Sequence, residues 1–428
     1  MRGLLILVGL ALAPGTATAD PLDEFGFGTR AAATAGSSSA TAIGADAAHV
    51  NPAGVALAPH PAVLFGYGYG AMQLDINGRD AEVLDAHGTS LGMALPLELG
   101  SGVRAAFGLA LYLPDQFLAR IQLIPPTEPH FVRLDNDPHR LVADPVVSLR
   151  LGRWLAIGAG ASLLADARGS GINFNVGVVS GEKVGESALD VKLPLRTAPL
   201  VGVLIAPEER VRAGLSFRGE LALDIALDIL ANVDVAGVVS GDALISVRAV
   251  NYFTPRQVVA GIAADVTESL TASAQLGWAD WSAAPSGVAD LRVLVALDVA
   301  PPLVQTDVPP ALFTDTITPR LGAEYTMRGA RTDLAVRAGY AYLPSPVPEQ
   351  TGLTSFADND RHLLAAGVGV TLADWQPILT RPIELGLAVQ WHNLRKQLTV
   401  KDARDFPGEA FSSGGNIVHA TTSMTVSF

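Results

Sequence analysis

The chain has 428 residues, a net charge of −13 and no cysteine, and only 17% of its residues are charged, against about 25% in a typical soluble protein. The acidic balance argues against a nucleic-acid partner, which would favour a clustered basic face. The lack of cysteine excludes disulfides, thiolate chemistry and zinc sites built on cysteine.

The hydropathy of the chain points to a membrane protein without membrane-spanning helices. Mean hydropathy is +0.33, yet no segment after the N-terminus has the ~20 consecutive apolar residues of a transmembrane helix. In a transmembrane β-barrel apolar and polar residues alternate, because successive side chains face lipid and lumen in turn. The composition is typical of such a barrel.

The N-terminus has the pattern of an export signal. Arg2 precedes an apolar run at residues 4–13, and Ala17-Thr18-Ala19 has the small-x-small pattern read by signal peptidase. Ten apolar residues are too few to span a bilayer. We predict a signal peptide at residues 1–19, with the mature chain beginning at Asp20.

After residue 61 most of the chain alternates with a period of two. Val211 and Leu215 fall on one face, for example, and Arg212, Ser216 and Arg218 on the other, which a helical period cannot produce. The fold class predicted for residues 62–428 is all-β, a transmembrane antiparallel β-barrel of about fourteen strands. The strands are predicted at residues 63–70, 90–97, 103–113, 142–151, 155–165, 189–205, 211–227, 245–265, 270–281, 318–327, 333–342, 362–372, 383–400 and 416–428.

The links between these runs alternate between short turns and long loops, as at residues 152–153 and 114–140. Short periplasmic turns opposite long extracellular loops are typical of outer-membrane barrels, and an even strand number returns both termini to the periplasm. The last run ends on the aromatic Phe428, a terminal signal similar to that read by barrel-assembly machinery. A soluble β-sandwich or solenoid, which also alternates, explains fewer of these features.

Residues 36–54, GSSSATAIGADAAHVNPAG, have neither a strand period nor a helical one. We expect them to form neither strand nor core helix, but to fill the barrel as part of an N-terminal plug at residues 20–61. Asn51 can bond nearby backbone groups and Pro52 fixes φ, so the plug motif Asn51-Pro52-Ala53 is predicted to set a rigid turn.

This stretch resembles the N-terminal plug of the FadL-type family of outer-membrane transporters for long-chain fatty acids and other hydrophobic compounds, whose plug carries an Asn-Pro-Ala motif. Other segments similar to this family follow in order at residues 254–256, 278–282, 320–325, 337–340, 345–348 and 358–361. The resemblance implies a fourteen-stranded barrel closed by the plug. It also implies a ligand route from the extracellular loops to a lumen pocket, and then sideways into the membrane where the third strand kinks.

In this chain the third predicted strand contains Gly108, which could allow such a kink by weakening strand pairing. Packing of a small residue beside the plug is the alternative explanation. Four arginines predicted to face the lumen are candidate partners for a ligand carboxylate: Arg104, Arg212, Arg218 and Arg337. Pairing with Glu220, Asp224 or Asp228 across the barrel is the alternative for these arginines.

We expect no cofactor and no metal. The eight histidines have no metal-ligand spacing on a helix. Calcium could bind the loop carboxylates Asp135, Asp137, Asp358 and Asp360, but Asx-rich turns form without metal as well. An outer-membrane lipid-acting enzyme needs a Ser–His pair, and His419 and Ser423 are ~13 Å apart along one strand, so we expect no enzyme activity.

The sequence therefore predicts an outer-membrane channel of a Gram-negative bacterium for passive uptake of hydrophobic small molecules. A general diffusion porin is the first alternative, although the 42 residues of the predicted plug argue against an open lumen. A surface adhesin would need larger outer loops. Expected partners are the hydrophobic ligand, outer-membrane lipid and lipopolysaccharide, and the barrel-assembly machinery through Phe428, and we expect a monomer.

Overall fold

The computed structural model describes residues 21–100, 102–116, 128–134, 140–165, 168–170, 172–177, 190–192, 195–235, 239–284, 290–297, 300–303, 312–352, 354–372, 381–402 and 410–428. The predicted signal peptide and the candidate calcium ligands Asp135 and Asp137 lie outside the described residues. No helix in the described part of the chain is long and apolar enough to cross a bilayer.

A closed antiparallel barrel of fourteen strands forms the body of the protein, which confirms the predicted fold class. Each strand pairs with the next one in the chain, and the first strand pairs with both the second and the last to close the ring. The strands are β1 (Ala62–Ile76), β2 (Ala86–Gly100), β3 (Val103–Pro114), β4 (Val142–Leu151), β5 (Leu155–Ala165), β6 (Leu195–Ile205), β7 (Val211–Arg218), β8 (Gln257–Asp265), β9 (Leu270–Ala279), β10 (Thr316–Arg328), β11 (Thr332–Leu343), β12 (Arg361–Leu372), β13 (Ile383–Thr399) and β14 (Phe411–Ser427).

Alternation of the sequence corresponds to the two faces of the barrel wall. In β7 the apolar Val211 and Leu215 are 65% and 49% exposed on the outside, while Ser216 and Arg218 are buried on the inside. Exposed apolar side chains recur on the outer face of the other strands, among them Phe65, Leu276 and Leu387. The outer surface is therefore the apolar belt that lipid requires.

Two of the predicted strands are each divided into two separate strands. The run predicted at residues 211–227 is divided, because β7 ends at Arg218 and a separate strand occupies Leu221–Val235. The run predicted at residues 245–265 is likewise divided into Val239–Thr254 and β8. The breaks fall at Gly219-Glu220 and Pro255-Arg256, and apolar alternation continues across both of them, so the period alone could not reveal them.

The divided strands belong to a second sheet at the long-loop end of the barrel. Leu221–Val235 and Val239–Thr254 pair with each other in a sheet of five strands, to which other long links contribute Ile172–Gly177, Asp290–Leu297 and Ala300–Leu303. Asp190–Lys192 is also separate from β6 and pairs with Arg168–Ser170. The barrel strand therefore begins at Leu195, later than predicted.

Short pieces of strand complete the long-loop end. Arg79–Asp80 pairs with the end of β1, and His130–Phe131 pairs in parallel with Phe356–Ala357. An apolar cluster of Phe253, Trp281, Phe313 and Phe356 joins several of the long links. This end of the barrel is therefore partly covered by structured loops.

The N-terminal segment, residues 21–61, lies inside the barrel. It contains α1 (Pro21–Phe25), α2 (Gly28–Ala33) and α3 (Ala47–Val50), with 3₁₀ helices at Gly44–Asp46 and Pro52–Leu57. Residues 36–54 were expected to form neither strand nor core helix, and the part about the helix is wrong, because the buried helix α3 and the 3₁₀ helix Gly44–Asp46 lie within this stretch and the second 3₁₀ helix overlaps it. Helices of three to six residues are too short to show a 3.6-residue period.

Contacts around the ring show where this segment lies. The Thr29 hydroxyl bonds the Ser423 hydroxyl on β14 at 2.7 Å, and the Ser37 hydroxyl bonds Ser273 on β9 at 3.0 Å. Inside the wall a main apolar cluster joins the segment to strands, with members including Leu22, Phe27, Val55, Leu64, Val146 and Leu200. Burial of these side chains is the main attraction that holds the segment in the barrel.

Candidate functional site

Glycines line the inner wall where the N-terminal segment touches it. On nine strands a Cβ added at an inward glycine would lie 2.0–3.0 Å from an atom of the segment. We call these positions the glycine ring: Gly108, Gly158, Gly202, Gly214, Gly261, Gly322, Gly339, Gly367 and Gly386. Some are direct neighbours, such as Gly158 and Gly202 across the β5–β6 pair. The ring lets the backbone of the segment approach the sheet closely.

Asn51 of the plug motif is fully buried against this ring. Its side-chain amide donates to the Ser39 carbonyl at 2.8 Å and to the Val203 carbonyl on β6 at 3.2 Å. Its side-chain oxygen accepts from the Ala53 N–H at 3.2 Å, which caps the 3₁₀ helix that Pro52 begins. The same side chain therefore shapes the segment and ties it to the wall.

His49 lies between two carboxylates, one from each side of the interface. Its Nδ1 is 2.6 Å from Asp144 of β4 and its Nε2 is 3.3 Å from Asp23 of α1. Arg218 of β7 pairs with Asp23 and donates to the His49 carbonyl at 2.9 Å. Arg218 Nη2 also lies 3.1 Å from both ring nitrogens. In the doubly protonated ring both nitrogens donate to the carboxylates and neither can accept, so we assign the arginine hydrogen bond to the His49 carbonyl.

Burial and the Arg218 charge lower the pKa of His49, but hydrogen bonds to Asp144 and Asp23 outweigh them and raise it from 6.5 to about 9. Burial raises the pKa of Asp23, but the charges and hydrogen bonds of Arg218 and His49 outweigh this effect. The pKa of Asp23 therefore lies below its ordinary value. Both groups are therefore charged at neutral pH, and they bind the segment to the wall as a buried ion network.

Glu24 forms a second buried ion network at the start of the segment. Arg361 of β12 donates to both of its carboxylate oxygens, and Arg133 lies 3.7 Å away. Arg133 also pairs with Asp358 at 3.1 Å and lies over the Trp281 ring at 4.6 Å. The long-loop end is thus connected to α1 through charged groups.

Phe25, the next residue, packs on two histidines of the wall. Its ring stacks on His419 at 4.4 Å and meets His392 edge-on at 5.8 Å. The Ser423 hydroxyl is bonded to Thr29 rather than to His419. The face of β14 that carries His419 and Ser423 therefore packs against the N-terminal segment.

A cavity of about 130 Å³ remains between α1, the end of α3 and strands β6 to β10. Its apolar walls include Leu22, Phe25, Val50, Leu200 and Val259. Its polar lining includes Asp23, Glu24, His49, Arg218, Arg320, Gln257, Gln275 and Gln390. We call this space the lumen cavity, and it combines apolar walls with several charged and amide side chains.

Two of the four predicted lumen arginines lie near the short-turn end of the barrel. Arg104 pairs with Glu98 of β2 and donates to the Ala58 carbonyl at 2.8 Å. Arg212 holds Asp265 through two hydrogen bonds of 3.0 and 3.1 Å. Neither of them lines the lumen cavity.

The other two also have carboxylate partners. Arg218 pairs with Asp23 and lines the cavity, while Arg337 pairs with Glu324 at 2.6 Å and Glu384 at 3.1 Å. The structure therefore does not bring the four together at one site. Their role towards a ligand stays a prediction.

The acidic partners considered from sequence for these arginines stay a prediction. Glu220 lies 3.9 Å from Arg256, and the side chains of Asp224 and Asp228 lie outside the described residues. Among the described side chains, Arg218 pairs with Asp23 and Arg212 with Asp265.

Gly108 lies in regularly paired strand. It faces Ala94 on β2 and Val146 on β4, with no irregularity on either side. An added Cβ would lie 2.9 Å from both Val146 and Val55 of the N-terminal segment. A glycine is thus required here for close packing, and the lateral opening at this strand stays a prediction.

Pairing is interrupted one seam further on, between β4 and β5. Asp144 and Pro145 have no partner residue on β5, although pairing is regular on both sides of them. Proline has no N–H to donate, and its carbonyl would be 2.2 Å from a Cβ at Gly160. Beside this interruption, the Asp144 carboxylate forms a hydrogen bond with the His49 ring.

The candidate calcium ligands within the described residues have protein partners. Asp358 accepts from Arg133 and from the Ser345 hydroxyl, and Asp360 accepts from the Tyr342 hydroxyl and the Ser345 N–H. No cluster of three or more potential metal-ligating side chains occurs in the described part of the chain.

Phe428 is 63% exposed at the end of β14, and its N–H donates to the Pro61 carbonyl at 2.9 Å. Recognition of this residue by assembly machinery stays a prediction.

Sequence reasoning missed the charged residues that anchor the N-terminal segment, Asp23, Glu24 and His49, and the cavity residue Arg320. The signal available was their position in a stretch of small and apolar residues expected inside a barrel. A charged side chain buried inside a barrel needs an oppositely charged partner. The arginines predicted to face the lumen were the candidates for that role.

A family model for outer membrane protein transport protein (OMPP1/FadL/TodX) matches residues 198–417. A Pseudomonas aeruginosa FadL homologue has a similar structure, with 14% identity, coverage of 93% of this chain and 97% of that one, and a TM-score of 0.57. The comparison with curated protein sequences finds no match.

Two solved structures of other channels are also similar. The CymD monoaromatic hydrocarbon channel shares 14% identity over 94% of this chain and 97% of its own, with a TM-score of 0.53. The Ralstonia pickettii toluene transporter TbuX shares 16% identity over 94% and 99%, with a TM-score of 0.52. At these identities the likeness establishes the fold alone.

The closed fourteen-stranded barrel with a segment inside it defines an outer-membrane transport barrel. The chain belongs to the outer membrane protein transport protein (OMPP1/FadL/TodX) family, whose model matches half of it. The resemblance found in the sequence is thereby confirmed, and the protein is assigned to the outer membrane of a Gram-negative bacterium. The short turns then face the periplasm and the long loops face outwards.

Proposed function

We propose that the protein is a passive channel for hydrophobic small molecules, such as long-chain fatty acids or aromatic hydrocarbons. The observation that carries this proposal is the filled lumen. The N-terminal segment contacts strands around the ring, and beside it lies a cavity with the apolar walls Leu22, Phe25, Val50 and Leu200. An apolar solute gains free energy by leaving water for such a site.

The relatives agree with this class of solute, since one similar structure is a monoaromatic hydrocarbon channel and another a toluene transporter. The proposed organisation is a signal peptide at residues 1–19, a plug at 20–61 and the barrel at 62–428. The plug closes the lumen to polar solutes, and the cavity beside it receives the ligand.

The proposed route ends sideways in the membrane, near the third strand. Exit through the wall suits an apolar ligand, because a water-filled exit would be the unfavourable path. Among the described strand pairs near Gly108, the β4–β5 pair has the weakest backbone pairing, because it is interrupted at Asp144 and Pro145. Release of Asp144 by His49 would free β4 from the plug at this point, since their 2.6 Å contact joins the two.

Uptake by living cells tests the function. A Gram-negative host without its own hydrophobic-compound channel is given the full chain or an empty vector, and uptake of labelled toluene, hexadecanoate and a disaccharide is compared. Faster uptake of toluene or hexadecanoate, with no gain for the disaccharide, supports the proposal. A gain for the disaccharide alone would identify a general porin, and no gain for any apolar compound would refute the channel.

The exit route has its own test in the same assay. Gly108→Val places a side chain against Val55 and Val146. Pro145→Val restores an N–H on the β4 side of the seam. Both variants should therefore slow uptake. The matched control is Pro319→Val, on the outer face of β10 away from the seam. Unchanged uptake in both test variants would exclude exit at this place.

A further inference from the structure

Arg320 of β10 differs from the arginines that anchor the N-terminal segment. Its Nη1 donates to the Ala35 carbonyl at 2.7 Å, and no carboxylate of the described residues lies within 4.0 Å of its guanidinium nitrogens. The side chain lines the lumen cavity. A cation placed in this way has donor capacity left for another group, because a guanidinium carries five N–H bonds.

The acids beside it are already engaged. Asp23 and Glu24 line the same cavity, but Asp23 is held by Arg218 and His49, and Glu24 by Arg361. Each of these carboxylates therefore has its charge compensated without Arg320. The cavity keeps a positive charge that the described residues do not pair.

The chain leaves room for this side chain. Gly36 lies directly against it, since an added Cβ there would be 2.7 Å from Arg320 Nη1. The amide of Gln275, which is opposite Arg320 across the β9–β10 pair, accepts from the Ser39 N–H at 3.0 Å. The guanidinium is thus fixed at one end by the plug backbone and directed towards the cavity lining.

Cavity volume limits the apolar part of an occupant. In another protein, a cavity of about 150 Å³ holds one benzene molecule, and the lumen cavity measures about 130 Å³. One aromatic ring or a short alkyl chain fills such a space, whereas a long acyl chain would extend beyond it. The apolar walls formed by Phe25, Val50 and Leu200 suit either of these small groups.

We propose that Arg320 selects ligands with a carboxylate on a small apolar body, so that this channel prefers aromatic or short-chain carboxylates to neutral hydrocarbons. This inference rests on the proposed function and specifies its substrate class. A carboxylate would accept from the free guanidinium N–H groups, as charge-assisted bonds of this kind are the strong ones. Its apolar body would lie against Phe25 and Val50.

Equilibrium binding to the purified full-length protein in non-ionic detergent tests the inference. The probes are benzoate, its neutral isostere benzamide, toluene and hexadecanoate. Benzoate should bind at least about tenfold more tightly than benzamide, because a hydrogen bond between two charged groups is stronger than one to a neutral amide. Arg320→Gln should remove this difference, and Arg320→Lys should keep part of it.

Arg153→Gln is the control, because Arg153 pairs with Glu209 at a short turn outside the cavity, and it should bind like the wild type. Equal binding of benzoate and benzamide, or a difference that survives Arg320→Gln, would overturn the inference. Arg320-dependent binding of hexadecanoate as tight as that of benzoate would overturn the limit on size. If toluene binds and cells take it up without any benzoate preference, the proposed function stands and this inference fails.

Discussion

Asn51 joins three separate pieces of backbone through one amide side chain. It bonds the Ser39 and Val203 carbonyls and the Ala53 N–H, and it is completely buried. An alanine at this position would leave all three groups without their partner in a place that water does not reach. Unpaired buried polar groups of this kind are costly.

Asn51→Ala should therefore lower the free energy of unfolding by about 1–3 kcal/mol. Urea titration of protein folded into lipid vesicles measures the change. Gln397→Ala removes an amide from an exposed position on β13 and should be neutral. Equal stability of the two variants would show that the Asn51 amide is not a structural bond.

His49 gives the interface a pH dependence. Its pKa is raised from 6.5 to about 9 by Asp144 and Asp23, against the effects of burial and Arg218. A base with a raised folded pKa contributes stability that is complete below the unfolded pKa and is lost as pH rises through the folded one. The contribution of His49 should therefore decline between 6.5 and about 9.

Melting temperatures in detergent over this pH window, for the wild type and His49→Gln, measure the effect. The wild type should lose stability as pH rises, while the variant, which is uncharged, should start lower and change less. Parallel curves for the two proteins would mean that His49 is not the titrating group.

At the scale of secondary structure, the glycine ring and the N-terminal segment form one interface. Gly202 of β6 and Gly386 of β13 are the tightest positions of this interface, because an added Cβ at either would lie 2.0 Å from an atom of the segment. At Gly202 this atom is the Asn51 side-chain oxygen. Gly277 of β9 offers a contrast, because an added Cβ there meets nothing closer than 3.8 Å.

Gly202→Ala should displace the segment, at a cost of about 1–3 kcal/mol from overpacking, and should raise ion conductance in planar bilayers. Gly277→Ala should change neither quantity. An increase in conductance in both variants would mean that general disturbance of the wall, rather than loss of the glycine ring, opens the lumen.

The strands show how far sequence reasoning reaches at this scale. The run predicted at 142–151 is β4 with the same bounds, because lipid on one side and a packed lumen on the other enforce a strict alternation. The run at 211–227 was wrong beyond Arg218, since the strand that follows belongs to the second sheet and alternates as well. Alternation of apolar and polar residues shows that a strand has two different faces, but it does not show to which sheet the strand belongs.

The interior was harder to predict than the wall. Asp23 and Arg218 are 195 positions apart, and Glu24 and Arg361 are 337 apart. No local pattern relates such residues, because the N-terminal segment folds as short helices whose position depends on the finished barrel. The family resemblance indicated that a plug exists, but the arginines that hold it were identified only in the structure.

At the scale of the whole molecule, the protein is a barrel whose outer face suits lipid and whose lumen is filled. The N-terminal segment contacts the wall on every side, and charged networks at Asp23 and Glu24 fix its first helix. The lumen cavity remains between this helix and strands β6 to β10. We expect an apolar ligand to bind there rather than to pass through an open pore.

Anomalous diffraction from crystals of the full protein soaked with bromobenzene would locate such a ligand. We expect a bromine peak in the lumen cavity, beside Phe25, Val50 and Leu200, with the N-terminal segment in place. Bromine peaks only on the outer surface of the barrel, or a continuous water-filled pore through the lumen, would contradict it.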